Sequence, residues 1–277
     1  MHPLEPTATA SSPIRTARGD IAICDDGEGP TVLLIHGVPG SARDFRWLVP
    51  MIAPTLRCVR IDLPGYGASP RETVASAAVS ERVASCRAVL DALQIERAVV
   101  IGHSMGGPTA VELALHHADR VRALVLIASP GRVPHRMFRR FRPARLQRIL
   151  TIPGARHLLM PALRSGFKRA GFSASLTDAT LLYATADAAA LDFDRHAAHL
   201  AELAKRDLPS LVAWATDDRL IETAILDELA ELVPTGPRLR FDSGGHNIQK
   251  TRATEIGEAL ATWVATLVTL APEGASG

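Results

Sequence analysis

Ser104 lies in Ile101-Gly102-His103-Ser104-Met105-Gly106-Gly107, with glycines on both sides of one hydroxyl. An alcohol is a weak nucleophile and needs a neighbouring base to take its proton. The base in turn needs a carboxylate to fix its tautomer. The chain offers both further on. His246 stands in a glycine-rich stretch, Asp242-Ser243-Gly244-Gly245-His246-Asn247, and an acidic pair, Asp217 and Asp218, closes Trp214-Ala215-Thr216-Asp217-Asp218. Serine, acid and histidine in this order are the parts needed for acyl transfer. The bland alternative for the serine stretch is a glycine-rich turn that only connects two elements.

The surrounding pattern decides between these readings. Thr31–Gly37, Arg57–Gly65, Arg97–Gly102, Val121–Ser129, Pro209–Thr216 and the stretch from Arg238 are short apolar runs, several of them closed by glycine. Such runs read as buried parallel strands. Helical stretches alternate with them. Val79, Val83, Cys86, Leu90 and Leu93 share one helix face, as do Ile256, Leu260, Trp263 and Leu267. Ser41 is placed to cap a short helix after the first of these strands, and residues 13–24 can supply one or two leading strands. Pro108 falls in the first turn of the helix after Ser104, where an amide has no helical partner. Alternating strands and helices predict an α/β fold, a mostly parallel twisted sheet with helices on both faces.

In such a sheet, ligands bind beyond the carboxyl ends of the strands. His36, Asp62, Ser104, Ser129, Asp217, Asp218 and His246 all follow strands. The sequence Gly-His-Ser-Met-Gly is G-x-S-x-G between a strand and a helix, the setting of a nucleophile elbow. There the serine takes strained backbone angles, the glycines give clearance, and the Met105 N–H sits at a helix start that favours an oxyanion. His246, in a loop after the last strand, is the expected base. His116, His117, His157, His196 and His199 lie on helical segments and read as solvated or packing side chains. His36 reads as a structural loop residue, with a place in the substrate pocket as its other reading. His103 is the variable position of the elbow.

The pieces His-Gly-Val-Pro-Gly-Ser, Asp-Leu-Pro-Gly-Tyr-Gly-Ala-Ser, Gly-His-Ser-Met-Gly-Gly, Trp-Ala-Thr-Asp-Asp-Arg-Leu-Ile and Gly-Gly-His-Asn-Ile-Gln occur in the order found in the α/β-hydrolase family. From about residue 15 to 270 the chain resembles that family. The resemblance implies the α/β-hydrolase fold with an inserted helical cap, a Ser104/Asp218/His246 triad, and backbone N–H groups of Val38 and Met105 as the oxyanion hole. It implies no metal and no organic cofactor. Asp218 becomes the acid when Ala215 is set on the family's usual glycine, and Asp217 is the reserve. Asp62 falls in the family's structural turn segment. The Val38–Pro39 bond is expected to be cis. The expected reaction is hydrolysis of a carboxylic ester through an acyl-enzyme on Ser104. Alternatives are a thioesterase, a lipase, a peptidase, a cofactor-free perhydrolase, or a carbon–carbon bond hydrolase of ring-cleavage products. The last commonly has Trp after the histidine, where Asn247 stands here. Haloalkane dehalogenases and epoxide hydrolases resemble the chain at His36–Gly40 but use an aspartate nucleophile. A ligand-binding protein on the same fold is the non-enzymatic alternative, disfavoured by an intact triad.

The 277 residues are 47% hydrophobic and 22% charged, with a net charge of +2. That composition fits one globular domain. No stretch has the length of a membrane span, and the start lacks the basic residues and apolar run of a secretory signal. Residues 1–12 read as disordered. Cys24, Cys58 and Cys86 lack metal-ligand spacing and read as buried reduced thiols, which suits a cytoplasmic setting. The strand–helix rhythm stops from 131 to 206, so the core is expected at 1–130 and 207–277 with the cap between. That insertion carries 14 Lys and Arg against 5 Asp and Glu. Three readings follow: a solvated basic face, attraction for an anionic substrate, or contact with an anionic membrane, since Met137, Phe138, Phe141, Leu146 and Ile149 lie among the arginines. Nucleic acid is disfavoured by the few aromatics and the near-neutral chain. Tyr183 and Phe193 are candidates for the acyl pocket. The expected partner is a small acyl substrate.

Overall fold

The computed structural model describes residues 11–70, 77–152, 154–173 and 175–269. Most of the stretch expected to be disordered lies outside the described residues, but Ser12 already opens the first strand. The strands are β1 (Ser12–Thr16), β2 (Gly19–Asp26), β3 (Thr31–Ile35), β4 (Arg57–Ile61), β5 (Ala98–His103), β6 (Val121–Ile127), β7 (Ser210–Ala215) and β8 (Arg238–Phe241). They form one sheet in the order β1-β2-β4-β3-β5-β6-β7-β8. The first two joins, β1 to β2 and β2 to β4, are antiparallel, and the rest are parallel.

The helices are α1 (Val49–Ile52), α2 (Val79–Ala92), α3 (Gly106–His116), α4 (Arg136–Phe141), α5 (Pro143–Leu150), α6 (Ala155–Arg169), α7 (Asp178–Ala189), α8 (Phe193–Leu203), α9 (Thr223–Leu232), α10 (Ile248–Thr251) and α11 (Ala253–Thr269). The short helix expected after Ser41 is a 3₁₀ turn, Ala42–Phe45, followed by α1; the Asp44 carboxylate accepts from the Ser41 N–H at 3.1 Å.

The central strands β3, β5, β6 and β7 are almost entirely apolar because both sheet faces are covered there. Alternate residues sort to opposite sides. Leu33, Ile35, Val59, Ile61, Val100 and Leu126 face α2, α3, α8 and α9. Val32, Leu34, Cys58, Val99, Ile101 and Val125 face α1 and α11. Full burial of one such side chain is worth about 1.5–3 kcal/mol, so a slip of one residue in any central strand would forfeit several such terms.

Five helices, α4 to α8, run between β6 and β7. Leu150, Met160, Leu163 and Leu181 give them a small apolar cluster of their own. Leu200 and Leu203 of α8, by contrast, pack into the main core. The three cysteines are free and buried. Burial pushes the Cys58 and Cys86 thiols up to about 12, well above their ordinary range. Among the described residues, no helix is long and apolar enough to cross a membrane.

Candidate active site

Strand β5 ends at His103 and α3 begins at Gly106, so Ser104 and Met105 alone make the turn. Ser104 has φ +49°, in the left-handed region a side chain with Cβ seldom adopts. Such a conformation costs roughly 1–3 kcal/mol and persists only where neighbours enforce it. Here the Ser104 N–H donates to the Ile127 carbonyl at 2.9 Å, and the Ser104 carbonyl accepts from the Gly107 N–H at 2.8 Å. The glycines provide the room. A Cβ on Gly102 would lie 2.7 Å from the Gly106 carbonyl oxygen, and one on Gly107 would run into Ser129 Oγ.

The other two groups arrive from the ends of β7 and β8. The Ser104 hydroxyl donates to His246 Nε2 at 2.8 Å, and His246 Nδ1–H donates to Asp218 Oδ2 at 2.7 Å. Asp218 Oδ1 is held by the N–H groups of Leu220 and Ile221 at 2.7 and 3.1 Å. Burial alone would raise the Asp218 carboxyl, but His246 and these amides outweigh it and leave it below the ordinary range. Asp217 does something else: its carboxylate accepts from the Gly245 N–H at 2.7 Å and so pins the loop that carries His246. His103, the variable elbow position, also holds this loop. Its Nε2–H donates to the His246 carbonyl at 3.1 Å, and the two rings sit 5.3 Å apart. Burial pushes the His103 ring down to about 3, so it stays neutral there.

Ser104 and His246 open onto a cavity that Val38, Met105 and Leu220 line from the core side. The Val38–Pro39 bond is cis. The insertion supplies the far wall, with Met137, Phe138, Phe141, Leu146, Phe167 and Phe172. Met137, Phe138, Phe141 and Leu146 of the membrane reading thus line this cavity, while Ile149 is exposed. Arg139, Arg140, Arg142 and Arg145, between them, are exposed, and several arginines of the insertion pair with carboxylates. Arg132 pairs with Glu228, Arg139 with Glu222 and Arg164 with Asp178. Among the described residues, no Asp, Glu, Lys or Arg lines the cavity.

Three pocket candidates lie elsewhere. His36 is fully buried outside the cavity; its Nδ1–H donates to the Gly37 carbonyl at 2.6 Å and its Nε2 accepts from the Leu63 N–H at 3.0 Å. Both ring nitrogens are spent on loop structure. Tyr183 packs against the main core, because the cavity face of α7 is Ala184, Thr185 and Ala188, one step round the helix. Phe193 stands behind the wall, edge-on to Phe138 at 4.9 Å. In return the cavity gains two groups that sequence reasoning missed, His135 and Thr185. His135 was visible as a histidine soon after a strand; Thr185 carried no signal.

Two further anchors set the frame. Asp62 Oδ1 accepts from the Ala42 N–H at 2.7 Å and Oδ2 from the Ala68 N–H at 2.9 Å, so it ties two loops together. Asp187 on α7 is buried, accepts from Tyr66 Oη at 2.8 Å and lies 3.6 Å from Arg82 Nη1. It fixes the insertion to the core. Among the described residues no three His, Cys, Asp or Glu side chains converge as metal ligands.

The sequence pattern of the alpha/beta hydrolase fold matches residues 30–253. The chain belongs to that family. Over 110 residues it is 39% identical to the 2-hydroxymuconate semialdehyde hydrolase of Pseudomonas sp. (strain CF600), a match covering 39% of each chain. Over 111 residues it is 33% identical to haloalkane dehalogenase 2 of Mycobacterium bovis, covering 40% of this chain and 39% of that one. The chain thus aligns with only about two-fifths of the length of these curated relatives. Its fold follows the crystal structure of a Bradyrhizobium elkanii haloalkane dehalogenase with a TM-score of 0.78 at 22% identity, over 94% of this chain and 99% of the other.

Proposed function

We propose that this member of the alpha/beta hydrolase family hydrolyses uncharged esters with an apolar acyl part. The observation that carries the reading is the contact chain Ser104–His246–Asp218, at 2.8 and 2.7 Å, at the mouth of a cavity without a charged wall. In the reaction, Ser104 Oγ bonds to the ester carbonyl carbon while its proton passes to His246 Nε2. Asp218 stabilises the imidazolium. The oxyanion is held by the Val38 and Met105 amides, each worth roughly 3–4 kcal/mol in the transition state. The alcohol leaves with the proton from His246. Water then adds to the acyl-enzyme by the same route, releasing the acid and restoring Ser104.

The relatives' chemistries fit this site less well. A serine that displaced a halide or opened an epoxide would form an ether, which water does not cleave; an aspartate would form a hydrolysable ester. A muconate semialdehyde bears a carboxylate, and burying it in this cavity without a cationic partner would be costly. The same argument removes support from the anionic-substrate reading of the arginines.

Matched nitrophenyl esters of phenylbutyrate and of succinate, with the corresponding thioesters, test the proposal. The apolar oxygen ester should be turned over at least tenfold more efficiently than the succinate ester, at low and high salt alike. Preference for the anionic ester would overturn it.

A further inference from the structure

His135 is a polar group in an apolar cavity that no step above uses. It immediately precedes α4 in the segment after β6 and borders the same space as Ser104 and His246. Its Nδ1 lies 3.0 Å from the Leu220 carbonyl oxygen. A carbonyl can only accept, so Nδ1 carries the proton. Burial pushes the ring down to about 4, and above that pH the imidazole is neutral and its other nitrogen, Nε2, is a bare acceptor. The ring cannot turn freely. Phe138 meets it edge-on at 4.8 Å and Phe193 at 6.3 Å, and Leu220 fixes its plane.

The remaining polar side chains of the cavity are committed. Ser104 and His246 bond one another, and Thr185 donates its proton to the Leu181 carbonyl at 2.8 Å. His135 is itself 4% exposed. A rigid, neutral acceptor lining an apolar cavity loses its contact with water when a substrate fills the space, and a ligand donor would replace that hydrogen bond. A site built this way rejects an analogue lacking that donor far more strongly than a purely apolar site could.

We propose that His135 Nε2 receives a hydrogen bond from a hydroxyl of the substrate, so that the natural ester carries one hydroxyl near its scissile carbonyl on an otherwise apolar frame. This rests on the ester reading above and narrows it to hydroxylated apolar esters. His135 acts here as a specificity residue, not in the chemical steps.

Binding tests the inference apart from turnover. The protein is Ser104→Ala, and the ligands are the methyl ester of 4-phenylbutyrate and its 2-, 3- and 4-hydroxy derivatives, measured by calorimetry. At least one hydroxy ester should bind about tenfold more tightly than the parent. His135→Asn in the same background keeps an amide donor for the Leu220 carbonyl but has no group at the Nε2 position, and it should remove that preference. His135→Gln, which places an oxygen near Nε2, should restore part of it. Equal ratios of hydroxy to parent Kd in all these proteins, or no preference for any hydroxy ester, would overturn the inference. Turnover of the parent ester by the wild type reads the ester proposal separately. Turnover without a hydroxyl preference defeats only the role of His135, and a His135-dependent preference without turnover defeats only the ester proposal.

Discussion

The crest of the core sheet and the wall of the insertion face each other across one cavity, and they are built by different rules. At the crest Ser104 and Asp218 are fixed by backbone, and His246 by a loop tied to the Asp217 and His103 side chains. Ser104 is held at φ +49° by two main-chain hydrogen bonds, and Asp218 is gripped by two amides. The wall is made of side chains on helices, with Phe138, Phe141 and Phe167 set by packing. A buried polar contact, Asp187–Tyr66–Arg82, is one of its ties to the crest's layer, beside the Arg132–Glu228 and Arg139–Glu222 pairs. A crest of this kind tolerates almost no change, because each group must sit within hydrogen-bond reach of the next. A wall of packed side chains can change shape by substitution and so set which acyl group fits, while the chemistry stays the same.

The comparison can be broken or sharpened in four ways. At the crest, Asp218→Asn should lower kcat by about 10³–10⁴-fold by favouring the wrong His246 tautomer, whereas Asp217→Asn should cost less than about tenfold. Steady-state kinetics of the two variants on one activated ester would reverse the assignment if their order were inverted. At the join, Asp187→Ala leaves the buried Arg82 without its carboxylate partner and should destabilise the protein by about 3–5 kcal/mol. A urea midpoint equal to that of the wild type would mean the insertion is held by other contacts. In the wall, Phe138→Ala should lower kcat/KM for phenylbutyrate esters by about tenfold through KM, a loss of roughly 1–3 kcal/mol of apolar contact, and leave acetate esters nearly unchanged. Equal losses on both would place Phe138 in the machinery rather than the pocket. The smallest effect concerns pH. Because the Asp218 carboxyl sits below its ordinary value when folded, its contribution is present above the ordinary carboxylate range and is lost as pH falls through the folded value. The stability gap between wild type and Asp218→Asn should therefore narrow as pH falls through and below the ordinary carboxylate range; a constant gap would contradict the shift.

The two regions also differ in how much of them could be read from the sequence. Sheet strands announce themselves as apolar runs, and Ser104 is legible because a strained turn needs Gly102, Gly106 and Gly107 where no Cβ fits. Asp218 and His246 follow from strand ends. Within Asp217-Asp218 the family resemblance points to Asp218 as the acid, but the bond by which Asp217 holds the Gly245 N–H is one that no spacing reveals. The insertion was harder. Arginines and aromatics interleave along α4 and α5, and the sequence permitted either set to be the functional one. The helix period puts Phe138, Phe141 and Leu146 inward and the arginines outward, which becomes clear only once the helices have a surface to lie on. Tyr183 and Phe193 were plausible wall residues by type, but a rotation of one residue on α7 and one layer of packing behind Phe138 removed them. His135 went unnoticed because its role depends on Leu220, 85 residues away.

The central claim is that Ser104 becomes covalently acylated. A rapid acid quench of the wild type with a nitrophenyl phenylbutyrate, followed by peptide mass spectrometry, tests it most directly. The peptide carrying Ser104 should gain the mass of the phenylbutyryl group, Ser104→Ala should show no such gain, and Asp218→Asn should accumulate the adduct more slowly. Steady turnover with no acyl mass on Ser104, or an adduct that forms equally in Ser104→Ala, would contradict the account.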